Sequence, residues 1–204
     1  MKNVILTVAA IFAFGFANAQ EKKESKEFGF SEGNVLVEGN LGFNSTNDKN
    51  TKEKTNSFEF NPKVGYFLSD KFAVGVQLGF GSDKAETNGA DTDKNSNLNV
   101  GVFGRYYFLD LGQRFKTYAE LGVNSNSGKT GLAEAKYTGL GVNAGLGINY
   151  FVSKSFAINF GLTDVLSYAS NKYKGGETVS AFTGNVNVFN NFFDTAKFGL
   201  TYKF

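Results

Sequence analysis

The stretch Thr138 to Tyr150 reads T-G-L-G-V-N-A-G-L-G-I-N-Y. Leu140, Val142, Ala144, Leu146, Ile148 and Tyr150 share one phase of a two-residue period, and Gly139, Gly141, Asn143, Gly145, Gly147 and Asn149 share the other. That period is the signature of a β-strand with two unlike faces. The second face is nearly bare. Glycine weakens a strand unless something needs the space it leaves, so a run built this way implies a crowded neighbour on the small side.

The same design extends in both directions. Val35 to Asn44 sets Val35, Val37, Leu41 and Phe43 against Glu38, Asn40, Gly42 and Asn44. After a polar stretch, Ser45 to Asn56, the residues Phe58, Phe60, Val64, Tyr66 and Leu68 alternate with Glu59, Asn61, Lys63, Gly65 and Phe67. Pro62 lacks a donor and predicts a bulge or a missing ladder bond at that point. A tight turn at Ser69 to Lys71 leads to Phe72, Val74, Val76, Leu78 and Phe80, backed by Ala73, Gly75, Gln77, Gly79 and Gly81. Further strands follow a polar stretch at Ser82 to Ser96, a turn at Asp110 to Arg114, a polar stretch at Ser125 to Glu134 and a turn at Ser153 to Ser155. A last polar segment runs from Tyr168 to Thr178, and Phe182 to Phe189 reads either as an upper extension of the final strand or as a separate excursion. The expectation is eight strands whose connections alternate long and short. Tyr66 to Ala73 also echoes Tyr150 to Ala157, both at the bottoms of hairpins.

Composition bounds the environment. Residues 1–19 have a positive start at Lys2, an apolar core and a small-residue site at Ala17-Asn18-Ala19, the pattern of a cleaved secretory signal peptide. Residues 20–33 are polar and predict a short solvated periplasmic lead-in, leaving 34–204 as one β-domain. The formal charge of +2 falls to +1 once Lys2 is removed, which argues against nucleic acid as a partner. With no Cys and no His, disulfides, thiol chemistry and Ser-His or Cys-His nucleophilic sites are excluded, and an enzyme is not expected. Asp91 to Asn97 places oxygen ligands on alternate residues as a calcium loop does. Ser96 and Val102 stand where such a loop requires Gly and Glu, so neither metal nor cofactor is expected.

Alternation alone fits a soluble β-sandwich as well as a membrane barrel, and volume separates them. Eight strands close around space for little more than side chains. The many Phe, Leu, Val, Ile and Tyr of the apolar phase would overfill it, whereas the Gly, Ala and Asn phase fits. The apolar phase then faces lipid. Tyr66, Phe72, Tyr106, Phe108, Phe115, Tyr150, Phe156, Tyr202 and Phe204 all fall beside short turns or the C-terminus, as one interfacial girdle. With its signal peptide and its terminal Phe198-Gly199-Leu200-Thr201-Tyr202-Lys203-Phe204, the chain from about Asn34 resembles the small eight-stranded outer-membrane β-barrels of the OmpX and OmpA-domain type. The resemblance implies a closed antiparallel up-and-down transmembrane barrel in the cell outer membrane. It also implies a monomer surrounded by outer-membrane lipid, with Phe198, Leu200, Tyr202 and Phe204 read by the barrel-insertion machinery. Barrels of this kind that are enzymes use His-dependent sites, which this sequence lacks.

Six charges fall on the inward phase: Glu38, Glu59, Lys63, Arg105, Glu120 and Lys197. A register pairing Tyr107 with Tyr118 sets Arg105 opposite Glu120, and a similar register brings Lys63 close to Glu38. Buried charges are rarely left unpaired, so two pairs, Arg105 with Glu120 and Lys63 with Glu38, are expected inside a plugged lumen. They would serve either as filling or as a gate or ligand contact. The expected role is an envelope-structural or surface-binding one through the outer loops, and the competing reading is a narrow conduit for small solutes. The processed protein is expected to begin at Gln20, to fractionate with the outer membrane and to migrate faster unheated than boiled on a gel; recovery as a soluble species without detergent would contradict the assignment.

Overall fold

The computed structural model describes residues 28–184 and 197–204, with the side chains of residues 162–164 and 197 excepted. The expected signal peptide and residues 20–27 lie outside them. Among the described residues nine strands run in chain order: β1 (Val35–Asp48), β2 (Glu53–Ser69), β3 (Phe72–Thr87), β4 (Ala90–Leu111), β5 (Phe115–Thr130), β6 (Ala135–Phe151), β7 (Phe156–Tyr173), β8 (Thr178–Gly184) and β9 (Lys197–Lys203). Each pairs antiparallel with its neighbour through β7. β9 joins β1 on one side and the lower half of β7 on the other, which closes a ring of eight strand positions. β8 pairs with the upper half of β7, from Lys172 opposite Thr178 to Leu166 opposite Gly184. β8 therefore occupies the same position in the wall as β9, farther up. Phe182 to Gly184 thus extend the final strand position upward, while residues 185–189 lie outside the described set.

The two phases face as the volume argument requires. Leu41, Val102, Leu121, Leu140 and Leu200 are exposed on the outer surface, while Phe67, Phe103, Tyr107 and Tyr118 are buried inside. Burying apolar surface drives folding in water, but here more than half of many large apolar side chains is uncovered by protein, which lipid alone makes favourable. Pro62 leaves its mark as expected: β2 pairs with β3 at Phe60 and again at Lys63 in an unchanged register, with Asn61 and Pro62 unpaired between them.

The space left by the glycines of β6 is used from across the ladder. Gly147 lies opposite Tyr118, where an added methyl group would collide with the ring, and Gly141 and Gly139 are covered by the carboxamides of Asn124 and Asn171.

The polar stretches differ from their reading as loops. Ser45 to Asn56, Ser82 to Ser96 and Ser125 to Glu134 are mostly strand, so the wall continues upward and ends in short turns at 49–52, 88–89, 131–134 and 174–177. The turn at Asn88-Gly89 has positive φ at both residues, 55° and 80°. That is the two-residue hairpin geometry that Asn-Gly favours. Residues Asp91 to Asn97, considered for calcium, are extended in β4. The physical reason is that a strand with polar residues on both faces still pairs its backbone, though it carries no hydrophobic period. Turns at this end are expected outside the cell, because barrels of this class carry their longer excursions beyond the lipid-facing band on the outer side, and it is here that the polar strand extensions rise. Epitope tags within Asn47 to Lys54 or Glu86 to Lys94 should be reached by antibody on intact cells and a tag at Asp70 should not; the opposite labelling would invert the topology.

Candidate functional site

The lumen is crossed by one polar network. Arg105 projects from β4 and is wholly buried. Its Nη1 and Nη2 donate to Glu38 Oε2 and Oε1 of β1 at 2.8 and 3.0 Å, and its Nε donates to Glu120 Oε2 of β5 at 2.7 Å. The guanidinium carbon sits 3.9 Å from the centre of the Tyr118 ring, a cation–π contact between two buried side chains. Thr201 of β9 donates to Glu38 Oε2 at 3.0 Å and accepts from Asn149 Nδ2 of β6 at 3.1 Å. Tyr107 donates to Asn149 Oδ1 and Tyr118 to Asn159 Oδ1 of β7, each at 2.8 Å. Lys63 of β2 donates to Glu120 Oε1. Seven of the eight strand positions contribute a polar group, and β3 contributes Ala73, opposite Arg105, whose small side chain leaves room for the guanidinium.

The expected pairing is corrected in one respect. Arg105 is opposite Glu120 and Lys63 is opposite Glu38 in the ladders, but the Lys63 ammonium reaches Glu120, and Glu38 goes to Arg105. The cause is the shape of the guanidinium. Its planar fork takes both oxygens of Glu38 on one edge and one oxygen of Glu120 on the other, leaving Glu120 Oε1 for the point charge of lysine. The four groups form one neutral set in place of two separate pairs. Of the other inward charges, Glu59 lies higher in the lumen and accepts from Asn61 at 2.6 Å, and the Lys197 side chain lies outside the described residues.

Below this network the lumen is closed by aromatics, and the lead-in supplies one of them. Phe30 is buried, stacked on Phe67 at 4.4 Å between ring centres and set against Tyr107 and Phe151 at 5.0 and 5.1 Å. Lys203 donates to the Gly29 carbonyl at 2.8 Å, the Gly33 amide donates to Phe67 O at 2.9 Å, and Arg114 lies 4.5 Å from the Phe28 ring. The expectation of a solvated tail over 20–33 fails for these residues. Two phenylalanines in a charged segment find an apolar socket, and burying one such ring stabilises by roughly 1.5 to 3 kcal/mol. Phe67 and Phe151, which form two walls of that socket, occupy matching places in the two echoing hairpin bottoms.

Above the network the lumen opens into a cavity of about 770 Å³ lined by Asn40, Asn61, Asn99, Asn124 and Asn143 among others. The terminal residues Phe198, Leu200 and Tyr202 stand exposed on the outer face, and the Phe204 amide donates to Val35 O at 2.9 Å, fastening the seam between the chain's two ends. Among the described residues no group of three or more acidic side chains is placed to hold a metal ion.

A closed ring of this size, apolar without and polar within, narrows the comparison to one kind of protein. A family model described as outer membrane protein beta-barrel domain matches residues 6–204. The chain belongs to that family. It is accordingly a protein of the cell outer membrane. Among solved structures, this family member is similar to the outer membrane protein OprG from Pseudomonas aeruginosa, with a TM-score of 0.51, 15% identity, and coverage of 86% of this chain and 98% of that one. It is also similar to the outer membrane protein W of E. coli, at a TM-score of 0.45 and 16% identity over 85% of this chain and 99% of that one. No curated protein sequence matches it.

Sequence reasoning missed Thr201, Asn149 and Asn159 as partners of the charges. All three lie on the inward phase, and only the closing register, which sets Glu38 opposite Thr201, reveals the contact. Glu38→Ala should destabilise the barrel by about 3 to 5 kcal/mol, because it strips Arg105 of its bidentate partner. Neutralising Arg105 and Glu120 together should cost less than the sum of the single changes, since Lys63 and Glu38 then face each other as a remaining neutral pair. Urea unfolding in detergent checks both; small additive effects would mean water-screened charges instead.

Proposed function

We propose that this barrel is a closed, non-enzymatic envelope protein that acts through the surface it presents outside the cell, and that it is not a general diffusion pore. The observation that carries this reading is the double closure of the lumen, by the Arg105 network and by the Phe30 aromatic cluster beneath it. A passing solute would have to break charge-assisted bonds in a low-dielectric interior and then unseat a packed ring. The paired strands above the lipid-facing band support the surface role. Segments such as Ser82–Thr87 and Ala90–Ser96 rise roughly 20 Å along the strand with polar residues on both faces. Neither lipid nor lumen requires them, and pairing makes them a stiff platform. Assembly is proposed to depend on Phe198, Leu200, Tyr202 and Phe204, which present an outward apolar row to lipid and to the insertion machinery. The conduit reading draws on the cavity above the network, whose lining includes Glu38, Lys63, Tyr118 and Glu120 of the network itself.

Planar-bilayer recording on the purified full chain is expected to show no steady conductance, and a steady large one would make transport the primary reading. Shortening the outer hairpins to two-residue turns should leave a folded, heat-modifiable barrel while reducing attachment of expressing cells to protein-coated surfaces. Unchanged attachment would remove the surface-binding role.

A further inference from the structure

The floor and the walls of the lumen use their polar groups differently. In the Arg105 network the charges and hydroxyls bond to one another. Above it, the cavity of about 770 Å³ is walled by carboxamides, and among the described residues Asn40, Asn97, Asn99, Asn126 and Asn171 make no side-chain hydrogen bond to the protein. The amide oxygens of Asn40 and Asn171 are buried without a partner. Buried polar atoms are seldom left so.

Glycines hold these amides in place. Asn40 is opposite Gly199, Asn97 opposite Gly81, Asn124 opposite Gly141, Asn143 opposite Gly122 and Asn171 opposite Gly139. At each of these glycines the facing carboxamide takes the space of a side chain, and a methyl group there would strike it. Two further amides, Asn99 and Asn126, stand opposite each other on β4 and β5. Amides packed against the wall have already lost much of the freedom that a ligand would otherwise have to remove, so the cup is preorganised for binding.

The chemistry of the lining selects the occupant. A carboxamide offers two donors and an acceptor, and a half-turn about its last bond exchanges the two ends. A hydroxyl group, which both donates and accepts, meets that offer, whereas an apolar ligand would leave the amides unpaired. The charges on the lining are Glu38, Lys63 and Glu120, bound in the network, and Glu59, which accepts from Asn61. Among the described residues an anionic ligand therefore finds no uncommitted cation on the lining, and Asp83 and Asp93, on the inward phase nearer the outer turns, repel it. Tyr137 adds a flat surface. Its ring lines the cavity, covers Gly128 and packs against Tyr173 at 5.6 Å between centres, and an aromatic face of this kind takes the C–H side of a sugar ring while the phenol stays wet. The volume lies within the roughly 300 to 1,000 Å³ of small-molecule sites, and the network closes its lower end, so an extended chain has no way through.

We propose that the cup above the Arg105 network binds a neutral saccharide of about one or two rings, entering from the outer side. Asn40, Asn99, Asn126 and Asn171 are its hydroxyl partners and Tyr137 its stacking surface. The site lies within the wall of the barrel, separate from any attachment role of the outer surface.

The test is a titration of the full chain in phosphatidylcholine nanodiscs, with isotope-labelled asparagine so that NMR reads the side-chain amides directly. The probes are glucose, galactose, mannose, N-acetylglucosamine, maltose, lactose and cellobiose, with glucuronic acid as the charged counterpart. At least one neutral probe should shift these amides to saturation, and glucuronic acid should bind at least about tenfold more weakly. Asn99→Ala with Asn126→Ala should weaken binding of that probe by at least about tenfold, and Ala169→Trp, which narrows the cup without removing an amide, should abolish it. Lys49→Gln with Lys52→Gln, at an outer turn, should bind as the parent does. The same sugar coupled to albumin separates two sources: binding of the free form alone supports a soluble ligand, and binding of both forms supports the end of a glycan chain. Heat-modifiable migration reports folding in each arm, and the contrast between neutral and charged probes on the parent keeps the test decisive should a variant fold poorly. No saturating shift with any neutral probe, glucuronic acid bound as tightly as the neutral sugars, affinity unchanged in either folded cup variant or affinity lost equally in the outer-turn control would each overturn the proposal.

Discussion

The constraint on which the rest of the structure depends is the small cross-section of an eight-position ring. An inward side chain larger than Asn needs a gap beside it, and neighbouring strands supply it. Phe103 is accommodated over Gly75, where a methyl group would strike both the ring and the Val64 carbonyl, and Tyr118 lies over Gly147. Arg105 stands opposite the small Ala73. The bare face of β6 is therefore one half of a fitted pair whose other half lies on β5 and β7. A glycine-rich strand in this fold records the bulk of its neighbours.

Within that limited space, electrostatics decides which groups can be enclosed. A guanidinium buried without water is tolerable only with its donors satisfied and its charge balanced. Two carboxylates and one ammonium around Arg105 supply both, with Thr201, Tyr107 and Asn149 completing the bonds. Because these partners come from strands far apart in sequence, the network also ties the ring across its diameter. Backbone ladders alone hold only adjacent strands.

Much of this was legible in the residues. The two-residue period, the assignment of the small phase to the inside and the register that sets Arg105 against Glu120 all follow from local pattern, because turns fix register over short distances. What escaped was of two kinds. Strands such as Ser82–Thr87 and Ala90–Ser96 are polar on both faces and show no hydrophobic period, although Asn88-Gly89 was a readable hairpin signal. Contacts that need the ring to be closed were also hidden: the recruitment of Glu38 by Arg105, and the socket for Phe30. A lead-in judged by its average polarity looks solvated, but two phenylalanines spaced by a glycine behaved according to their own chemistry.

That socket makes one end of the chain depend on the other. Its walls are Phe67 of β2, Tyr107 of β4 and Phe151 of β6, and the lysine that fastens Gly29 belongs to β9. No part of the chain near residue 30 contains enough of it to hold the ring in place. The seat is whole only when β2, β4, β6 and β9 stand together in the ring, so a segment that precedes the barrel in sequence owes its place to residues as distant as the final strand.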